Sequence, residues 1–360
     1  MKICLVHDDF CQSGGAESLF ATIAALFPKA PIYTSLVDNT KLPQSISKER
    51  VNTSFLQKIP FKRALYKLLL PLYPLAFETF NFDQFDIVFS STTRFAKSII
   101  TKPNTVHICY INSAPRFLWD KEVKEQYAPK IVLLFFSPLF FWLKRWDKAA
   151  SARPDLFIAN SQNVRSRVKK YYNRDSTVIY PFADTNFYDI PKVHNWKLKS
   201  QNYFLVVSRL VKWKKIDTAI KACQSAGVNL KIVGSGPDEA RLKRITAKGW
   251  IPKQVRDDKK GNCEFLGRVT REDLKDLYQN SNGLVVTQEE DFGIATVEAQ
   301  ACGIPVVAYS AGGQQEIVIE GKTGILFKNQ TKDSIKDAIE ATLKVKWKKS
   351  TCRDNALRFS

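Results

Sequence analysis

Two glutamates eight positions apart, Glu290 and Glu298, flank Gly293 in the segment 288–310, QEEDFGIATVEAQACGIPVVAYS. The order of residue types is an acidic loop, a glycine, helix formers over 294–302, a stop at Gly303 and an apolar run over 304–308, which reads as loop, helix and buried strand. A helix start leaves backbone N–H groups without intrahelical partners, and the helix dipole adds positive potential there. With Gly293 permitting close approach, the backbone of Phe292, Gly293, Ile294 and Ala295 makes an anion site that suits a diphosphate. Glu298 follows about one turn later, within reach of the sugar hydroxyls of a nucleotide. Glutamates near a helix start are most often solvated acids favoured by the dipole, so the pair acquires meaning only from its context. Part of that context is Arg209, which ends the apolar run 203–207, with Lys212, Lys214 and Lys215 behind it. A lysine cluster alone is solvated surface, but an arginine at a strand end beside an anion site is well placed for phosphate.

Positioning these groups requires parallel strands whose ends carry the loops. Apolar runs at 2–7, 85–89, 107–110, 156–161 and 178–181, and again at 203–207, 230–233, 264–269, 284–286 and 304–308, read as such strands. The first run leads through Gly14-Gly15 into a helix over 16–27, the strand, Gly-rich turn, helix order of a nucleotide-binding α/β domain. The pattern restarts after a polar stretch, which divides the chain into a domain at 1–184, a linker at 185–200, a second domain at 201–345 and a terminal segment at 346–360. The charged stretch 245–262 reads as an inserted surface loop. Gly234-Ser235-Gly236-Pro237 lacks the third glycine of a dinucleotide fingerprint, which argues against a nicotinamide cofactor.

Composition narrows the classes further. The 360 residues suffice for two ordinary domains, and 44% hydrophobic with 12% aromatic content indicates a sizeable core. Fifty-five Lys and Arg against 35 Asp and Glu leave a net charge of +20, so the surface should attract polyanions. No zinc-finger spacing or RNP-like aromatic motif accompanies that charge, so no specific nucleic-acid partner is expected. Seven cysteines without CxxC spacing suit a reducing compartment. Asp8 and Asp9 interrupt the first apolar run, unlike an export signal. Neither Asp8-Asp9 nor Asp257-Asp258 has the Asp-x-Asp form that would hold Mg2+, so no metal and no cofactor is expected. The run 131–143, IVLLFFSPLFFWL, is too short to span a bilayer. With the basic, aromatic stretch 58–82, it suits contact with an anionic membrane surface, although one apolar helix face more commonly packs on its own domain. The expected location is cytoplasmic, peripheral on the inner face of the cell membrane.

The segment around the two glutamates resembles the Glu-x7-Glu signature of the family-4 retaining glycosyltransferases (glycosyl transferases group 1), and FGIATVEAQACGIPVVA is similar to that pattern almost throughout. The resemblance implies the GT-B fold, an α/β architecture of two Rossmann-like parallel-sheet domains facing across a cleft. It also implies roles: Glu290 on the donor sugar, Glu298 on the ribose, and the Phe292 to Ala295 backbone on the diphosphate. SRLVKWKKIDTAIKA resembles the donor-phosphate loop, which puts Arg209 and Lys214 on the diphosphate. KICLVHDDFCQSGGAE with LFPKAPIYTSLVD resembles the opening of a mannosyltransferase-like subgroup, which puts Gly14 and Gly15 near the donor phosphate. That subgroup reads Tyr-x-His-Thr-Pro-x-Arg-x-x-Trp-Asp where this chain has Tyr110, Arg116, Trp119 and Asp120, but Asn112 stands in place of the histidine that meets the donor sugar. Asparagine hydrogen-bonds but carries no proton at neutral pH.

The implied function is metal-independent transfer of a hexose, with retained configuration, from a nucleoside-diphosphate sugar to a lipid-linked or oligosaccharide acceptor in cell-surface polysaccharide synthesis. GDP-mannose is the favoured donor and a UDP-sugar the other. The resemblance runs from residue 1 to about 330. Family members usually end in a helix that crosses back to the first domain, which residues 346–360 would only begin. The rival is a catalytically impaired GT-B protein that binds an anionic glycan or nucleic acid; turnover of a sugar nucleotide separates the two.

Overall fold

The computed structural model describes residues 1–12, 14–62, 68–127, 130–191, 203–248 and 261–360. Most of the charged insertion, the later part of the linker and the middle of the 58–82 stretch therefore lie outside the described residues. The chain divides into two units, Met1–Pro181 and Phe182–Ser360.

The first unit carries seven strands: β1 (Ile3–His7), β2 (Ile32–Thr34), β3 (Val51–Thr53), β4 (Ile87–Thr92), β5 (Val106–Ile111), β6 (Leu156–Ala159) and β7 (Thr177–Val178). They form one parallel sheet in the order β3-β2-β1-β4-β5-β6-β7. The chain starts at a central strand, builds to one side, then returns to build the other, so β1 and β4 meet at a topological switch point. In open α/β sheets ligands bind beyond the carboxyl ends of the strands at such a point. Continuous apolar runs suit these strands because both sheet faces are covered: Cys4, Val6 and Val88 pack on one side with Phe77, Phe95 and Leu143, while Leu5 packs on the other with Phe10, Phe20 and Ile32.

The second unit carries β8 (Tyr203–Val207), β9 (Asn229–Val233), β10 (Cys263–Gly267), β11 (Gly283–Val286), β12 (Val306–Tyr309) and β13 (Gly324–Phe327). Their order is β10-β9-β8-β11-β12-β13, again parallel throughout, with the switch between β8 and β11. The helices Ile216–Ala226 and Lys332–Lys344 bury Ile220, Cys223, Ile335 and Ile339 with Leu230 and Val307 of the sheet. The helix Lys349–Ala356 belongs to this unit: Arg353 pairs with Asp189 at 2.7 Å, and the Phe359 carbonyl accepts from the Ala183 N–H.

Differences from the sequence reading cluster at short strands. β2, β3 and β13 did not stand out as runs, since three or four residues give too little periodicity. β4 spans Ile87–Thr92 rather than 85–89, because its register against β1 and β5 carries pairing through Ser90, Ser91 and Thr92. β7 is Thr177–Val178, so of the run 178–181 only Val178 is strand, at the sheet's edge.

Candidate functional site

The switch point of the second unit is the point at which the two basic residues and the glutamate segment converge. Arg209 lies two residues past the end of β8 and is exposed; Lys214 closes the short 3-10 turn Lys212–Lys214 that follows. From β11, the neighbour of β8, the chain runs through Thr287 and Gln288 into Glu290 and the helix Ile294–Ala301. The Thr287 hydroxyl donates to the Lys214 carbonyl at 2.6 Å, and Gln330, just past β13, donates to the Thr287 carbonyl at 2.7 Å while its side-chain oxygen accepts from Lys215. Three strand-end loops are thereby tied together. The loop after β9 joins them at Gly234, where φ is +129 and an added Cβ would lie 1.9 Å from the Ser208 carbonyl oxygen, so only glycine fits.

The Lys214 ammonium meets Glu290 Oε1 at 2.5 Å, and the Gln288 amide donates to the same oxygen. Lys214 is largely buried, and its Nζ also lies 4.2 Å from the centre of the Trp213 ring. Neutralised in part by the lysine, Glu290 can stand at an anion site without repelling a phosphate outright. Gly293 caps the helix with φ +121, a conformation glycine adopts without Cβ strain. The Gly312-Gly313 turn braces the loop, with the Gly313 N–H donating to the Glu290 carbonyl at 2.9 Å. The first helical residues, Ile294 and Ala295, are half-buried, and Phe292 is buried against Phe359.

Glu298 sits on the same helix beside the Tyr278 hydroxyl, which donates to its Oε2 at 3.1 Å. Burial pushes this carboxyl up to about 7; the Tyr278 hydrogen bond and the Arg271 charge hold it back, and Asp184 adds to the rise. Glu298 as a residue is half-buried. The ring of Tyr188 lies edge-on to Tyr278 at 5.8 Å, and Arg271 pairs with Asp184 at 2.7 Å.

In the first unit, Asn112 is buried directly after β5. Its N–H donates to the Thr92 carbonyl at 2.8 Å, its Nδ2 to the Ser91 hydroxyl at 3.0 Å, and its carbonyl accepts from Asn160 at 2.9 Å. Asn112 thus joins the carboxyl ends of β4, β5 and β6. Gly14 caps the helix Gly15–Leu26, and both glycines are exposed. The Glu17 carboxylate, which the sequence reading did not single out, lies 3.1 Å from where a Gly14 Cβ would stand, and burial pushes it up to about 7. The switch-point loop itself is organised by Asp8, whose carboxylate accepts from the N–H groups of Thr93, Arg94, Phe95 and Ala96 at 2.5–2.9 Å, while Asp9 pairs with Arg94. These contacts hold Asp8 below the usual carboxylate range although it is fully buried, with Arg94 the leading cause against desolvation. The adjacency of Asp8 and Asp9 is the one sequence signal that could have pointed to this cap.

Residues 189–359 match the glycosyl transferases group 1 family, and residues 13–187 match glycosyltransferase family 4. Between them the two matches take in nearly the whole chain. The chain belongs to the group 1 glycosyltransferases. Among curated members, an uncharacterised glycosyltransferase of Methanocaldococcus jannaschii is 25% identical over 59% of this chain and 56% of its own length. The alpha-1,3/1,6-mannosyltransferase ALG2 of Dictyostelium discoideum is 28% identical over 50% of each chain. The match thus spans about half the length of these glycosyltransferases. Among solved structures, Anabaena HepE in complex with UDP and glucose aligns with a TM-score of 0.68 at 20% identity, covering 99% of this chain and 94% of HepE. The chain has the GT-B type of fold, with two Rossmann-like parallel-sheet domains.

Proposed function

We propose that this chain transfers a hexose, with retained anomeric configuration and without a metal, from a nucleoside-diphosphate sugar to a lipid-linked or oligosaccharide acceptor. The observation that carries the reading is the convergence of Arg209, the Lys214–Glu290 pair and the Gly293-capped helix start at the β8/β11 switch point. In the reaction the bond between the anomeric carbon and the donor's phosphate oxygen breaks, and the acceptor oxygen bonds to that carbon on the same face. The acceptor's proton passes to the departing phosphate oxygen. Arg209, Lys214 and the amides from Phe292 to Ala295 are preorganised for the charge that develops on the leaving diphosphate. Glu290 orients the sugar hydroxyls and keeps Lys214 in place; Glu298 accepts from the ribose. Asn112 contributes hydrogen bonds to the sugar, and Gly14 and Gly15 allow the phosphate to approach the first domain.

Mannose from GDP-mannose is the favoured donor, supported by the mannosyltransferase ALG2 among the relatives. A UDP-sugar is the second reading, favoured by the UDP and glucose bound in HepE. The product would enter cell-surface polysaccharide. The test is a panel of GDP- and UDP-sugars assayed for binding and for release of nucleoside diphosphate: one sugar nucleotide should be turned over, and binding of none would overturn the reading in favour of a protein that only binds glycan or nucleic acid.

A further inference from the structure

The helices Lys130–Phe135 and Ser137–Ala150 leave several large apolar side chains uncovered. Ile131 is 78% exposed, Phe135 79%, Phe141 63% and Trp142 48%. The second helix does have an inward face: Leu143, Asp147 and Ala150 are buried. Asp147 fixes that face to the domain, accepting from the Trp119 indole and the Tyr172 hydroxyl at 2.8 Å each and pairing with the buried Lys97. The outward face is therefore held open by a well-anchored inner one. It carries Lys144, Arg145 and Lys148 beside the aromatic rings, with Arg145 stacked over Phe141 at 5.7 Å.

We infer that this outward face docks on an anionic bilayer, with Phe141 and Trp142 entering the headgroup boundary and Arg145 and Lys148 meeting lipid phosphates. An uncovered aromatic stripe flanked by cations is the composition of an interfacial helix. Charge selects the occupant. Between residues 131 and 150 the single acid is Asp147, which points inward, so a second copy laid on this face would oppose lysine and arginine with lysine and arginine. No described helix is long and apolar enough to cross a membrane, so the contact is one of lying on the surface. The inference deepens the reading of a lipid-linked acceptor and rests on it for its purpose, but not for its test.

The test is flotation of the full chain with vesicles of phosphatidylcholine alone or with phosphatidylglycerol added. The chain should float with the anionic vesicles, be released by high salt, and remain in the dense fraction with neutral ones. The double substitution Phe141→Ser with Trp142→Ser should lower partition about tenfold or more, and Arg145→Glu about fivefold or more. All three positions are exposed, and an unchanged circular dichroism spectrum and thermal midpoint would verify that the variants fold. Equal flotation with both vesicle types, or flotation untouched by the substitutions, overturns the inference. So does a parent dimer in solution that the same substitutions dissociate, since the face would then belong to a second copy. Loss of vesicle binding alone leaves the glycosyl-transfer reading standing.

Discussion

Glu298→Gln separates the electrostatic cost of this buried carboxyl from its hydrogen bond. The glutamine oxygen can still accept from Tyr278, so the 3.1 Å contact survives while the titration disappears. In the folded protein the carboxyl titrates at about 7 against 4.5 when unperturbed. The sign follows from proton binding. Below 4.5 both states hold the proton and the parent loses nothing. Between 4.5 and 7 the unfolded chain releases it while the folded chain retains it, so stability falls as pH rises; above 7 the loss is complete. At 1.36 kcal/mol per pKa unit, the full cost is on the order of 3 kcal/mol, about 1 kcal/mol of it already present at pH 5. The glutamine variant should therefore exceed the parent in stability by about 1 kcal/mol at pH 5 and about 3 kcal/mol at pH 8. Because two domains need not unfold together, the assay should report the second domain alone: urea-dependent hydrogen exchange of the helix Ile294–Ala301, corrected for intrinsic rates at each pH. A stability difference that does not change between pH 5 and pH 8 would refute the reasoning and leave Glu298 an ordinary ionised surface acid. The same variant should weaken donors with an intact ribose more than a 2′,3′-dideoxy analogue, which nucleotide titrations can check.

Arg209→Ala and Lys214→Ala should each weaken nucleoside-diphosphate sugars more than the free nucleoside, by about 1.5–3 kcal/mol for one charge-assisted contact; equal losses in calorimetric titrations would remove both from the diphosphate. Asp147→Ala strands Lys97 in the core and should destabilise the first domain by about 3–5 kcal/mol, read as a lowered urea midpoint for exchange in Ser137–Ala150. Asn112→His should raise turnover of the correct donor with little change in nucleotide affinity, whereas Asn112→Ala should lower it by about 1–3 kcal/mol in activation terms; activity indifferent to both would place the donor elsewhere. Gly293→Ala puts a Cβ 2.5 Å from the Gln314 amide nitrogen at φ +121 and should cost about 1–3 kcal/mol of stability along with diphosphate binding, measured by thermal shift with and without the nucleotide.

Much of this protein is legible in one dimension because its elements are local and strongly patterned. The run 203–207 is β8, and helix formers over 294–302 become Ile294–Ala301 with Cys302 as the cap. Gly293 could be read as an anion-site residue because helix ends and glycine have fixed physical consequences whatever surrounds them. The tertiary structure alone decided the partners. Lys214 and Glu290 are 76 positions apart and meet only because β8 and β11 are neighbours at the switch point. The enclosure of Glu298 likewise depends on Tyr278 and on Asp184 and Tyr188, which two segments far apart in the chain supply. In the first domain Asp8 reads as one of two adjacent acids, and its work as the cap of the loop after β4 appears only once β1 and β4 pair. The exposed side chains of Ile131, Phe135, Phe141 and Trp142 show the same division. Their apolar character is written in the sequence, but that Phe141 and Trp142 face the solvent follows from Asp147, which anchors the opposite side of their helix to the domain.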